Sequence, residues 1–133
     1  MKLFKTLALS TAIAAVVLAG PAFSAERIAL VVKSLGNGFF DAAAKGAEKA
    51  AEEIGDIEII YTGPTSATAE GQIDIVNSLI AQKVDAIAIS SNDPDALVPV
   101  LKKAMERGIN VLSWDSGVAQ DGRMLHLNPS DTG

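Results

Sequence analysis

The chain has 133 residues, 49% of them hydrophobic, which is enough for one small domain and not for two. With 11 basic against 16 acidic residues the formal charge is −5, so the polyanionic backbone of a nucleic acid is excluded as a natural partner. There is no cysteine, so no disulfide supports the fold and its stability rests on an ordinary apolar core.

Lys2 and Lys5 precede an apolar run from Leu7 to Ala19, and Gly20, Pro21, Ala22, Phe23, Ser24 and Ala25 follow. A basic start, an apolar centre and small residues at a cleavage point are the marks of a secretory leader. The run is short for a bilayer span and is broken by Ser10 and Thr11. Residues 1–24 are therefore expected to be removed, with the cut after Ser24 or after Ala25. Subtracting Lys2 and Lys5 from the 11 basic residues leaves nine against 16 acidic ones, a mature charge of −7. An exported chain without a cysteine to carry lipid points to a soluble protein in the periplasm of a double-membrane cell.

Arg27 to Val32 contains the continuous apolar run IALVV, the pattern of a strand covered on both faces. From Asp41 the period becomes helical, with Ala43, Ala47, Ala50 and Ile54 on one face and Gly55 as the stop. Ile57 to Tyr61 is the second strand. Gly63 to Ser66 forms a loop, and Ile73, Val76, Leu79 and Ile80 mark a second amphipathic helix. Val84 to Ile89 is the third strand. Asp93 and Pro94 open a third helix that carries Leu97, Leu101, Ala104 and Met105 and ends at Gly108. Pro99 sits too deep for that entry, so regular helix is expected to start nearer Leu97, after one irregular turn. Ile109 to Ser113 is a fourth strand and Arg123 to Leu127 a short fifth.

Strands alternating with helices through short connections predict an α/β domain, a doubly wound parallel sheet with right-handed crossovers. Residues 25–128 make one such lobe. Residues 129–133 are polar and are expected to be the start of a hinge or a truncated end.

An open parallel sheet binds ligands beyond the carboxyl ends of its strands, near the switch in strand order. The residues placed there are Lys33 to Phe40 after the first strand, Ser90 to Asp93 after the third, and Trp114, Asp115 and Ser116 after the fourth. The mature chain's aromatic residues, Phe39, Phe40, Tyr61 and Trp114, all map to strand ends, although Phe39 or Phe40 could equally anchor the first helix. Aromatic plates beside carboxylate and amide groups match a sugar, with its apolar C–H faces and hydroxyl rim. Asp115 is the leading candidate, because an ionised carboxylate accepts from two adjacent hydroxyls; its structural alternative is a turn residue before Ser116 and Gly117. Lys33 reads as a donor to ligand hydroxyls, as a partner of Asp115, or as a solvated charge.

Enzyme signals fail by comparison. Gly36, Asn37 and Gly38 followed by Asp41 lack the third glycine of a dinucleotide fingerprint, and no P-loop occurs. One histidine, His126, and no cysteine argue against a metal site or a Ser-His-Asp triad, and no cofactor is expected. His126 alternates with Leu125 and Leu127, the pattern of a structural strand residue.

The segments KSLGNGFF (33–40), YTGPTSATAEGQ (61–72), SSNDPDAL (90–97) and SWDSGVAQDGRMLHLNPSD (113–131) carry a family likeness. In these the chain resembles the first lobe of a type I periplasmic binding protein, and within that fold the rhamnose-binding proteins of ABC importers, with autoinducer-2 receptors closely similar. The resemblance implies a second lobe, a hinge, and a small sugar or autoinducer-2 enclosed between the lobes and handed to a membrane permease. It implies Lys33 and Asp115 as hydrogen-bonding residues, with Asn37, Phe39, Phe40, Ser90 and Trp114 lining the same half-site. The general sugar-binding pattern often has arginine after the aspartate, whereas Ser116 stands here, as fits the rhamnose and autoinducer-2 groups better than a ribose-type ligand. An α/β enzyme is the weaker alternative, because fold alone does not fix function.

Overall fold

The computed structural model describes Gly20 and residues 23–128, so most of the expected leader and all of 129–133 lie outside the described residues. No helix among the described residues is long and apolar enough to cross a membrane. The elements run β1 (Glu26–Val31), α1 (Gly38–Ile54), β2 (Ile57–Thr62), α2 (Ala69–Ala81), β3 (Ala86–Ile89), α3 (Val98–Glu106), β4 (Asn110–Trp114), a short 3-10 turn (Gln120–Gly122) and β5 (Leu125–Leu127). The strands form one parallel sheet in the order β2-β1-β3-β4-β5. Strand order reverses at β1, which lies between β2 and β3, so the switch point falls between the ends of β1 and β3.

Alternation along the strands divides the core. Ala29, Val31, Ile87, Ile89 and Val111 face α2 and α3, whose Val76, Leu79, Leu101 and Ala104 complete the larger layer. Leu30 and Ala88 face α1 through Ala44, joined by Ile59, Tyr61, Leu112 and Trp114. Helices thus cover both faces, as the alternating pattern predicts. Beyond β4 the α1 side is bare: Leu125 and Leu127, in register with Leu112 and Trp114, are 53% and 51% exposed.

The boundaries differ from expectation where local hydrogen bonds outrank periodicity. α1 starts at Gly38, not Asp41, because Asn37 is extended and its side-chain oxygen accepts the Phe39 N–H at 3.0 Å. Phe39 and Phe40 therefore lie in the first helical turn rather than in a loop. Gly55, at φ 80°, ends the helix with its N–H on the Ala51 carbonyl. α3 begins at Val98 after an irregular turn, as expected, and Pro99 lies in its first turn. In that irregular turn the Asp93 carboxylate accepts the N–H groups of Ala96 and Asp95, each at 2.9 Å, which holds its carboxyl below the ordinary value. β5 is shorter than the expected Arg123 to Leu127. Arg123 instead directs its Nε–H back to the Val118 carbonyl at 2.8 Å.

Candidate functional site

β1, β3 and β4 bring their carboxyl ends to one edge of the sheet, and the residues singled out from the sequence meet there in two groups. The first is aromatic. Trp114 closes β4 on the α1 side, so its indole lies under the first turn of α1. Phe39 stacks on it with centroids 6.3 Å apart and planes 22° from parallel. Phe40 meets it edge-on at 5.9 Å and 88°, and the two phenyl rings meet at 5.3 Å and 73°. Burial separates their roles. Phe40 is 4% exposed and anchors α1, whereas Phe39 is 54% exposed and offers an open apolar face. The Trp114 indole N–H is buried and has no hydrogen-bond partner among the described residues. Leaving such a donor unpaired costs about 1–3 kcal/mol.

The second group is polar. Asp115 follows β4 with φ 55°, a left-handed conformation that aspartate tolerates better than most residues. The buried Ser90 hydroxyl donates to Asp115 Oδ2 at 2.8 Å. The Asp115 backbone N–H donates to the Leu127 carbonyl at 3.2 Å, so backbone and one carboxylate oxygen are both held while the residue stays partly exposed. Ser91 ties the same two loops: its N–H donates to the Ser116 carbonyl at 2.9 Å and its hydroxyl to that of Gly117.

Lys33 stands at the end of β1, half-buried, and no hydrogen bond or ion pair within the described residues engages its ammonium. The suggested pairing of Lys33 with Asp115 is not formed, since the nearer partner of the carboxylate is the Ser90 hydroxyl. The Asn37 side-chain oxygen is engaged in capping α1. Tyr61 does not join the aromatic group. Its ring packs beneath α1 and its hydroxyl donates to Asp41 Oδ1 at 2.9 Å. His126 accepts or donates at Nδ1 to the Ser113 hydroxyl at 2.9 Å and packs against Gly117, a structural placement.

Sequence reasoning missed the polar support beneath this edge. Gln72 is fully buried in α2 and donates from Nε2 to the carbonyls of Val32 at 3.1 Å and Ser90 at 2.8 Å. Its oxygen accepts the Asn92 N–H at 2.8 Å, and Asn92 Nδ2 in turn donates to the carbonyls of Lys33 and Thr68. The available signal was a glutamine four positions before Val76 on the helix's core face.

No cluster of His, Cys, Asp or Glu suited to a metal ion occurs among the described residues. The edge as built can accept hydroxyl hydrogens at one fixed carboxylate, donate from one free ammonium, and cover an apolar face with a phenyl ring. These are recognition functions. The two hydroxyls that meet a base here, Ser90 on Asp115 and Ser113 on His126, are both fully buried and serve to hold the edge together.

Comparison with known proteins agrees with that chemistry. The chain is 44% identical over 92 residues to a D-ribose/D-allose-binding protein of Pseudomonas aeruginosa, a match covering 68% of this chain and 29% of that protein. Among solved structures, a solute-binding protein from Clostridium phytofermentas with bound L-rhamnose is 39% identical with a TM-score of 0.71, over 79% of this chain and 32% of that one. LsrB from Clostridium saccharobutylicum in complex with AI-2 is 33% identical with a TM-score of 0.74, over 77% of this chain and 31% of that one. The chain thus spans roughly a third of the length of the proteins it matches. The periplasmic binding protein domain model matches residues 28–132, nearly the whole of the described lobe, and the chain belongs to that family.

Proposed function

We propose that the chain is the first lobe of the substrate-binding component of an ABC importer, and that it holds L-rhamnose or a similar monosaccharide against a second lobe. The observation that carries the reading is the Asp115 carboxylate, held at one oxygen by Ser90 and following directly in the chain on Trp114, on which the half-exposed Phe39 ring stacks. The free oxygen accepts from sugar hydroxyls, Lys33 donates to them, and Phe39 backed by Trp114 covers an apolar ring face or methyl group. Asn37, Phe40 and Ser90 frame the same half-site. Ser116, following Asp115 where the general sugar-binding pattern often has arginine, fits the rhamnose and autoinducer-2 groups better than a ribose-type ligand. The ligand passes to a membrane permease without turnover, and the expected leader directs the protein to the periplasm.

A second reading is a receptor for autoinducer-2, supported by the likeness to the AI-2 complex at a TM-score of 0.74. Calorimetric titration of the full-length protein with L-rhamnose, D-ribose, D-allose and autoinducer-2 separates the two. Saturable binding tightest for L-rhamnose supports the first reading, and tightest for autoinducer-2 the second. Failure to bind any of them removes both.

A further inference from the structure

Five hydrogen bonds radiate from Gln72 and Asn92, and all of them end on backbone groups near the candidate site. The Gln72 amide bonds Val32, next to Lys33, and Ser90, whose hydroxyl holds Asp115. Asn92 bonds the carbonyl of Lys33 itself and that of Thr68, the cap of α2. We propose that Gln72, acting with Asn92, is a positioning residue that sets the distance between the Lys33 ammonium and the Asp115 carboxylate without touching the ligand. This rests on reading that edge as a sugar half-site.

The physical case begins with cost. A carboxamide in an apolar layer is stable only when its polar atoms are bonded, and Gln72 is 0% exposed among Val76, Leu79 and Ile80. An aliphatic side chain would fill the same space with no such demand. The geometry shows what the amide provides instead. β1 and β3 pair as neighbours, but their ladder ends at Val31 and Ile89, just short of the site. Past that point the strands have no mutual register except the Ser90 N–H to the Val31 carbonyl. Gln72 spans this gap, donating to one residue after each strand and accepting from a third. The chain of contacts continues through Ser90 to Asp115 and through Ser91 to Ser116, so all three loops become one rigid edge. Such preorganisation strengthens binding by removing the ordering cost at the moment of contact.

The test uses Gln72→Met, which keeps the volume and deletes the bonds, Gln72→Glu, and Asn92→Ala, all in the full-length protein well below its melting temperature. Gln72→Met and Asn92→Ala are expected to weaken sugar binding by about tenfold each, and the double variant by much less than the product, because both cut one network. Gln72→Glu should recover part of its affinity as pH falls and the carboxyl regains a proton to donate, while Gln72→Met stays flat. A merely structural role would lower the melting temperature and leave the affinity of the folded protein unchanged, and that result overturns the proposal.

Amide hydrogen exchange decides the matter independently of any ligand. In Gln72→Met the Leu35 and Asp115 amides should exchange about tenfold faster with β2 and α3 unaffected. Unchanged exchange at both overturns the proposal. Should the wild type bind no sugar, the functional reading fails on that titration while exchange still tests the positioning role.

Discussion

Asp115 combines a recognition group with a backbone conformation that few side chains adopt. Its φ of 55° is tolerated by aspartate and asparagine better than by alanine, so the choice of substitution matters. Asp115→Asn keeps the shape and the turn but removes the charge, and the Ser90 hydroxyl can still donate to it. Sugar affinity measured by calorimetry is expected to fall about tenfold or more, from loss of charge-assisted bonds, with the melting temperature little changed. Asp115→Ala should lose affinity similarly and also destabilise the fold by about 1 kcal/mol through strain. An Asp115→Asn protein that binds normally would move the site elsewhere. Tyr61 offers a separate check on packing beneath α1. Burial raises its pKa above 10.0, and the hydrogen bond and charge of Asp41 raise it further. The folded chain therefore keeps the phenol proton beyond the pH at which an unfolded chain releases it. The stability tied to this group is complete below pH 10 and declines as pH rises through the folded pKa. Ultraviolet titration of the one tyrosine should show a raised midpoint, and Asp41→Asn should lower it without returning it fully, since burial remains.

At the scale of elements, the parallel sheet was legible because IALVV and its counterparts are continuous apolar runs between helices of 3.6 period. Each expected strand and helix is found. The start of α1 was not legible from periodicity. It depends on one side-chain hydrogen bond from Phe39 to Asn37, and the apolar pattern records burial, not capping. The clustering of Phe39, Phe40 and Trp114 followed from placing strand ends on one edge, whereas Gln72 escaped notice because its partners are backbone carbonyls 40 and 18 residues away. Glycines show the same limit. At Gly63 an added Cβ would lie 2.7 Å from Val32 Cγ2 and 3.0 Å from the Val32 carbonyl oxygen, and that oxygen is held by Gln72. The loop after β2 thus passes over the end of β1 with no room for a methyl group. Gly63→Ala is expected to destabilise the lobe by about 1–3 kcal/mol, as overpacking does, in thermal or denaturant unfolding. Stability equal to wild type would show that the loop shifts freely.

At the scale of the whole molecule, the site occupies an edge and not an enclosure. In the proposed half-site Phe39 would cover one side of a ring and Asp115 would accept from one direction, leaving the remaining faces of the ligand to water. The proposed function is a clamp whose other half comes from a second lobe, a reading supported by membership of the periplasmic binding protein family. Closure of such a clamp would exclude the water that competes for each hydroxyl contact, and the polar bonds strengthen as it leaves. Residues 1–133 alone lack that effect. Leu125 and Leu127 also leave exposed apolar side chains on one face of β5, which favours self-association of the isolated lobe at high concentration. The isolated lobe is therefore expected to bind L-rhamnose at least a hundredfold more weakly than the full-length protein. Both should be titrated side by side by calorimetry, with sedimentation confirming that the lobe is monomeric at the concentration used. Equal affinity would mean that Phe39, Lys33 and Asp115 hold the whole ligand on this lobe, and the two-lobe clamp would have to be abandoned.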